Sequence, residues 1–259
     1  MKIELNRKPI FDAFRSVLGR GFTQLETERI DRAIDRALET NPLDESAARL
    51  GRLSEEFESG GRGPGAVSSG LRDPGGVSYG IYQLASRTGT AARFVLSEGG
   101  RWKDAFAGKS PGSKAFSAVW RAIAESEPDA FADAQHAFIE RTHYRPAVDA
   151  ARKGTGLDLD LCHQAVRDAT WSVAVQHGGA AKILIRAIGK ADAGLARDDA
   201  GFDRTLVDEI YAERAQYVLR VAARSSSGAA QTLQSIVRKR YPTELAAARA
   251  MFEAGPASA

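Results

Sequence analysis

Phe57-Glu58-Ser59-Gly60-Gly61, followed by Ala66-Val67-Ser68 and then Ser78-Tyr79-Gly80-Ile81-Tyr82-Gln83, is the stretch that decides how this chain folds. Before it, residues 41–59 carry helix signals: Asn41 as N-cap, Pro42 at the first helical position, Asp44 in the first turn, and Leu50, Leu53 and Phe57 on one face. Gly60 and Gly61 stop that helix. The segment 60–80 then holds eight glycines and two prolines, too many special backbone positions for a helix. Its short runs 66–68 and 77–79 predict a small irregular hairpin that returns Gln83 towards Glu58. Glu58 falls in the last helical turn, where the negative end of the macrodipole opposes a second negative charge, and Phe57, Tyr79 and Tyr82 add apolar surroundings. Both effects keep a carboxyl protonated nearer neutral pH, which is what a general acid needs.

This layout of Glu-Ser, a Gly-rich turn and Gly-x-x-Gln resembles the lysozyme superfamily, in particular soluble lytic transglycosylases and phage-type muramidases. The resemblance implies cleavage of the MurNAc-GlcNAc glycan strand of peptidoglycan, with Glu58 as the catalytic acid and Ser59, Ser68, Tyr79, Tyr82 and Gln83 around the substrate. Asp73, in Asp73-Pro74-Gly75-Gly76, is the second catalytic candidate: by resemblance to chitosanase-like relatives it activates water or stabilises an oxocarbenium-like transition state. Alternatively it caps its own turn. In that case Glu58 works alone, as in lytic transglycosylases. Two other functions stay open: a chitosan or chitin hydrolase of the same superfamily, and a non-catalytic cell-wall-binding or tail-hub protein.

Composition fits a compact, mostly helical protein. The 259 residues are 43% hydrophobic, enough for one sizeable core and a small appendage. No run of eighteen apolar residues predicts a membrane span. Met1 to Pro9 lacks the apolar stretch of a secretory signal, so the expectation is synthesis in the cytoplasm and action on the cell wall after release, injection or secretion. Delivery machinery, or an inhibitor protein, is then an expected partner. The net charge of +3 suits an anionic polymer and, with basic residues dispersed except at Arg238-Lys239-Arg240, does not argue for nucleic acid. Cys162 is the only cysteine, and His136, His143, His163 and His177 have no metal-site spacing with acids, so neither metal nor cofactor is expected.

Residues 1–40 form a helical N-terminal appendage in pattern, ahead of a catalytic domain over 41–259. Phe11, Phe14, Val17 and Leu18 make a short apolar stripe, Gly19-Arg20-Gly21 breaks it, and Thr23-Gln24-Leu25-Glu26 reads as a capping box. The arrangement resembles the leader of several phage endolysins. After Gln83 the pattern is helical, with Phe94, Trp120, Phe131 and Phe138 on core stripes. Residues 158–177 read as one buried central helix containing Cys162, ending in Gln176-His177-Gly178, where soluble transglycosylases resemble it with an amide side chain before a glycine. Tyr211-x-x-Arg214-x-x-Tyr217 places a polar cluster within two turns of a late helix. Gln176, His177, Tyr211 and Arg214 complete the expected substrate-binding set. A last helix is expected over about 229–253, before a frayed tail. The fold class expected is α+β, predominantly α-helical: a lysozyme-like domain with a small β-hairpin and a helical appendage.

Overall fold

The computed structural model describes residues 63–253 except 72 and 74, together with 50, 51 and scattered positions between 8 and 30 (8, 11, 12, 15, 20–23, 26, 27 and 30). The chain divides into two compact units, Met1–Arg49 and Leu50–Ala259. In the first, the capping box is present: Thr23 N–H donates to Glu26 Oε2 over 2.9 Å, and Glu26 N–H donates back to Thr23 Oγ1 over 3.2 Å. Phe11 packs edge-on against Phe22, with ring centroids 5.7 Å apart.

The second unit is α+β and predominantly helical. Strand β1 (Ser78–Tyr79) pairs antiparallel with β2 (Leu84–Ala85), in register Ser78 opposite Ala85 and Tyr79 opposite Leu84. Helices follow: α1 (Thr90–Leu96), α2 (Lys114–Ser126), α3 (Pro128–Ile139), α4 (Arg145–Thr155), α5 (Gln164–Gln176), α6 (Ala180–Gly194), α7 (Phe202–Ala222), α8 (Ser227–Ser235) and α9 (Tyr241–Ala250). Their boundaries have local causes. Ser113 caps α2 by accepting from Phe116 N–H over 3.1 Å. Glu127, ahead of Pro128, is pushed out of helical geometry and separates α2 from α3. Gly156, at φ 73°, closes α4 in the left-handed conformation.

The core is one apolar cluster. Its aromatic part, Phe94, Trp120, Phe131 and Phe138, belongs to α1, α2 and α3, with Trp120 and Phe131 ring centroids 4.8 Å apart. Trp120 Nε1–H donates to the Pro64 carbonyl over 2.8 Å, so the aromatic core also pins the Gly-rich segment.

Several sequence expectations change here. The expected pairing of 66–68 with 77–79 survives only as an isolated bridge, Val67 opposite Tyr79; the sheet proper pairs 78–79 with 84–85, and Gln83 sits in its turn. The helix expected over 41–59 does not run through its middle. Leu50 and Gly51 form a turn, with Gly51 at φ 85°. A Cβ on Gly51 would stand 2.4 Å from Trp171 Nε1, so the glycine is what lets the indole approach. The helix expected over 158–177 is two elements, a 3₁₀ turn at Leu159–Leu161 and α5. His163 divides them: its Nδ1 accepts from Ala165 N–H over 3.1 Å as the N-cap of α5. Cys162 therefore lies outside a helix, though it is buried. The last helix begins at Ser227 and changes register at a π turn, Ile236–Arg240.

That π turn has a counterpart at Glu140–Tyr144, between α3 and α4. Each ends one residue before an X-Pro pair, Arg145-Pro146 and Tyr241-Pro242. Proline has no N–H and its ring collides with the carbonyl four residues back, so a wider turn carries the helix through where a break would otherwise fall.

Candidate functional site

Two neighbourhoods collect most of the side chains singled out by sequence, and α5 joins them. The first surrounds the β1–β2 turn. Gly80 at φ 72° opens it and Gln83 at φ 51° closes it, the only non-glycine residue among the described ones with positive φ. Gln83 folds onto its own turn, its Nε2–H donating to the Gly80 carbonyl over 2.9 Å. Gln135, fully buried on α3, holds the turn from behind: its Oε1 accepts from Ile81 N–H over 2.9 Å and its Nε2–H donates to the Pro64 carbonyl over 3.1 Å. A Cβ on Gly80 would meet Gln135 Oε1 at 2.0 Å. Gly-x-x-Gln thus builds a turn that admits a buried amide.

Tyr82 leaves this turn half-buried. Its hydroxyl lies 2.9 Å from His136 Nδ1, and the His136 ring stacks on Trp171 with centroids 4.3 Å apart and planes 8° from parallel. Trp171 belongs to α5, whose Asp168 accepts from Gly51 N–H over 3.1 Å and from Gln164 Nε2–H over 3.0 Å. Tyr79 has no face towards this cluster. It is fully buried, its hydroxyl held by Ser117 Oγ and Gly112 N–H, each at 2.9 Å, so its role is core packing and not the substrate contact expected. Ser68 is likewise occupied, its Oγ accepting from Ser78 N–H over 2.8 Å.

Asp73 makes the bonds of the turn-capping alternative. It is exposed, and its Oδ1 accepts from Gly75 N–H over 2.7 Å while its carbonyl accepts from Gly76 N–H over 3.0 Å. Glu58 and Ser59 lie outside the described residues.

The second neighbourhood is a buried polar network where α5, α7 and α9 meet. Arg214 and Glu244 are both fully buried, and Arg214 Nη1–H donates to Glu244 Oε2 over 2.7 Å. The guanidinium also donates to Gln176 Oε1, from Nη2 over 2.6 Å and from Nε over 3.1 Å, and its Nε–H reaches His177 Nε2 at 3.3 Å. Ser172 and Tyr211 hydroxyls add donors to Glu244 Oε2, Arg240 donates to Oε1, and Tyr241 donates to Gln176 Oε1 over 2.9 Å. The Arg214 guanidinium covers the Tyr241 ring at 4.3 Å. Gln176, His177, Tyr211 and Arg214 are therefore brought together, with Gln176 and His177 at the half-buried rim and Tyr211 and Arg214 behind them.

Arg214 has only donors, so towards it His177 Nε2 accepts, and the same nitrogen lies 3.0 Å from the Tyr241 hydroxyl. Burial first, then the positive charges of Arg214 and Arg240, push the His177 pKa down to about 3. The ring is neutral at physiological pH and does not act there as a proton donor of ordinary imidazolium strength. Burial, with the Glu244 carboxylate beside it, raises the Tyr211 phenol and keeps it protonated.

Gln135, His136, Trp171, Tyr241 and Glu244 were not singled out as site residues. Gln135 had a legible signal: it sits four residues after Phe131, a polar residue on an apolar stripe. Glu244 had none, because its partners come from positions as distant as Ser172. Among the described residues, no group of three or more His, Cys, Asp or Glu is placed to hold a metal ion. No helix among them is long and apolar enough to cross a membrane.

Comparison with known proteins gives a different relationship from the one the motifs implied. Residues 50–244 match the family described as type VI secretion system spike protein VgrG3-like, C-terminal. Over 139 residues the chain is 42% identical to the type VI secretion system spike protein VgrG3 of Vibrio cholerae serotype O1 (strain ATCC 39315 / El Tor Inaba N16961); the match covers 54% of this chain and 13% of that relative. Both names are those of a secretion spike protein. They overturn the assignment to lysozyme-like muramidases, endolysins or lytic transglycosylases, and with it the expectation of a glycoside hydrolase, whether bacteriolytic or acting on chitosan or chitin.

Proposed function

This chain belongs to the family of type VI secretion system VgrG3-like spike C-terminal domains, and from that premise we propose that it is a spike-borne binding domain, carried out of the cell by the secretion apparatus and directed at the cell wall. The observation that carries this reading is the extent of the family match, which takes in the β-turn, the α5–α7–α9 network and every helix from α1 to α8. The partner in the producing cell is then the secretion machinery itself. On the far side it is the glycan of peptidoglycan, an anionic polymer that suits a chain of net charge +3 and pI near 9.0.

The half-buried residues Tyr82, Gln83, Gln176 and His177 are the proposed contacts with that glycan. Ring faces and amides are the groups that saccharides use, apolar ring on one side and hydroxyl partners on the other. Behind them, Gln135, Arg214 and Glu244 fix the backbone and the amide of Gln176, so the contact surface is held in place before any ligand arrives.

Export tests the reading. A tagged form of the chain, expressed in a bacterium with an active type VI apparatus, is expected in the culture medium and to fall to background when firing is genetically disabled. Equal amounts in the medium of both strains, with a cytoplasmic marker retained in the cells, would remove the secretion spike from the account.

A further inference from the structure

The positive charge of this protein is gathered on one segment. From Arg214 to Thr243 there are six basic residues and no acidic one, twice the net charge of the whole chain, so the remainder is net acidic. Elsewhere on the described surface arginines are repeatedly mated with acids, as in Arg145 with Glu140 and Asp160, Arg197 with Asp192, and Arg249 with Asp208. Arg220, Arg224, Arg238 and Lys239 have no such ion pair among the described residues, and all four are exposed.

On this segment lies an open surface hollow of about 480 Å³, lined among the described residues by Gln231, Thr232, Ser235, Ile236, Lys239 and Arg240. These are pairs of neighbours four residues apart, the spacing that puts side chains on one helical face, and the π turn at Ile236–Arg240 lies at the end of that run. The lining offers two cations, two hydroxyls and an amide around one aliphatic side chain. Arg240 is oriented by its bond to the buried carboxylate of Glu244, which is itself fixed by Arg214, so this cation is preorganised and not swinging on a mobile stem. His177, joined to Arg214 by the same network, has its pKa lowered first by burial and then by the positive charges of Arg214 and Arg240.

We infer that this cavity is a binding site for a phosphorylated saccharide. Phosphate oxygens take charge-assisted bonds from Lys239 and Arg240, Thr232, Ser235 and Gln231 bond the sugar hydroxyls, and Ile236 underlies the ring. Among the described residues the lining has no aromatic ring on which a base would stack, and its single apolar side chain gives a lipid tail little to enter. A wall-directed domain would meet such groups on phosphate-bearing polysaccharides, and to that extent the inference rests on the function proposed above.

The test is a titration of isotope-labelled protein by nuclear magnetic resonance, with N-acetylglucosamine 1-phosphate, inorganic phosphate and N-acetylglucosamine as separate probes. The sugar phosphate should move the amide signals of Thr232, Ser235 and Lys239, several-fold more tightly than inorganic phosphate, and the neutral sugar should not move them. Lys239→Gln, at an exposed position, should weaken the sugar phosphate roughly five-fold, whereas Lys103→Gln, an exposed lysine outside this segment, should leave it unchanged. Equal affinity for inorganic phosphate, equal effects of the two substitutions, or no shift at all would overturn the site. Binding to anionic phospholipid vesicles in preference to the sugar phosphate would also overturn it, in favour of a membrane surface. None of these outcomes bears on export, so the site and the secretion reading fail separately.

Discussion

Replacing Glu244 with leucine strands the most deeply buried cation of this fold. Arg214 has no solvent exposure and its carboxylate partner none, so neither charge can recover hydration in the folded state. Without Glu244 the guanidinium keeps Gln176 and the His177 ring, both uncharged acceptors, with the Arg240 cation adjacent as a like charge. Leaving one member of a buried pair costs roughly 3–5 kcal/mol, against a total stability of about 5–15 kcal/mol for a domain. Arg214→Met should lose a similar amount by stranding the carboxylate, softened by Arg240. The double variant, with both charges gone and comparable side-chain volume, should be more stable than the sum of the two losses by roughly 2 kcal/mol or more. Urea unfolding of the four proteins, followed by far-ultraviolet circular dichroism, gives the coupling directly. Additive losses, or a Glu244→Leu protein within about 1 kcal/mol of wild type, would refute the view that this pair acts as a buried, mutually dependent unit.

Acid should find His177. Its folded pKa is depressed towards about 3, so it contributes stability above the unfolded value near 6.5 and loses it as pH falls, by up to about 1.4 kcal/mol per unit. His177→Gln should flatten the stability profile between pH 6 and pH 4, and identical slopes would contradict the assignment. Gly80→Ala forces a Cβ to 2.0 Å from Gln135 Oε1 at φ +72°, and a loss of roughly 2–4 kcal/mol is expected in thermal unfolding; Gly100→Ala, with no heavy atom within 4 Å of its added Cβ, is the control and should stay within about 1 kcal/mol. Ser113→Ala removes the α2 cap and should cost about 1 kcal/mol, read as a lower unfolding midpoint with an unchanged denaturant slope.

The helical character after Gln83 was legible because Phe131 and Phe138 recur at the helical period within α3 and, with Phe94 of α1 and Trp120 of α2, are what the core buries. The Thr23–Glu26 capping box was legible because both of its bonds are local. Where the reading failed, the determinant was distant or uncommon. Nothing at residue 163 announces that its ring will cap α5, and nothing in the polar runs before Pro146 and Pro242 announces a π turn. The functional misreading has a physical source of the same kind. Gly80 and Gln83 build a tight turn that admits Gln135, so the motif on its own does not single out glycan cleavage. Asp73 repeats the lesson, since its carboxylate is spent on the amide of Gly75. The network that gathers Gln176, His177, Tyr211 and Arg214 was half visible, in the spacing of α7 alone; Glu244, its charge partner, lies thirty residues further on.

The most direct measurement incubates the purified chain with purified peptidoglycan sacculi, then follows the protein in the pellet and soluble glycan fragments in the supernatant by mass spectrometry. A wall-directed binding domain of a secretion spike should sediment with the sacculi, lose that association on His177→Ala or Gln176→Ala, and release no fragments above a protein-free control. Reducing-end or anhydro-muropeptides set free by the wild-type chain would contradict the binding reading and return the protein to glycan cleavage.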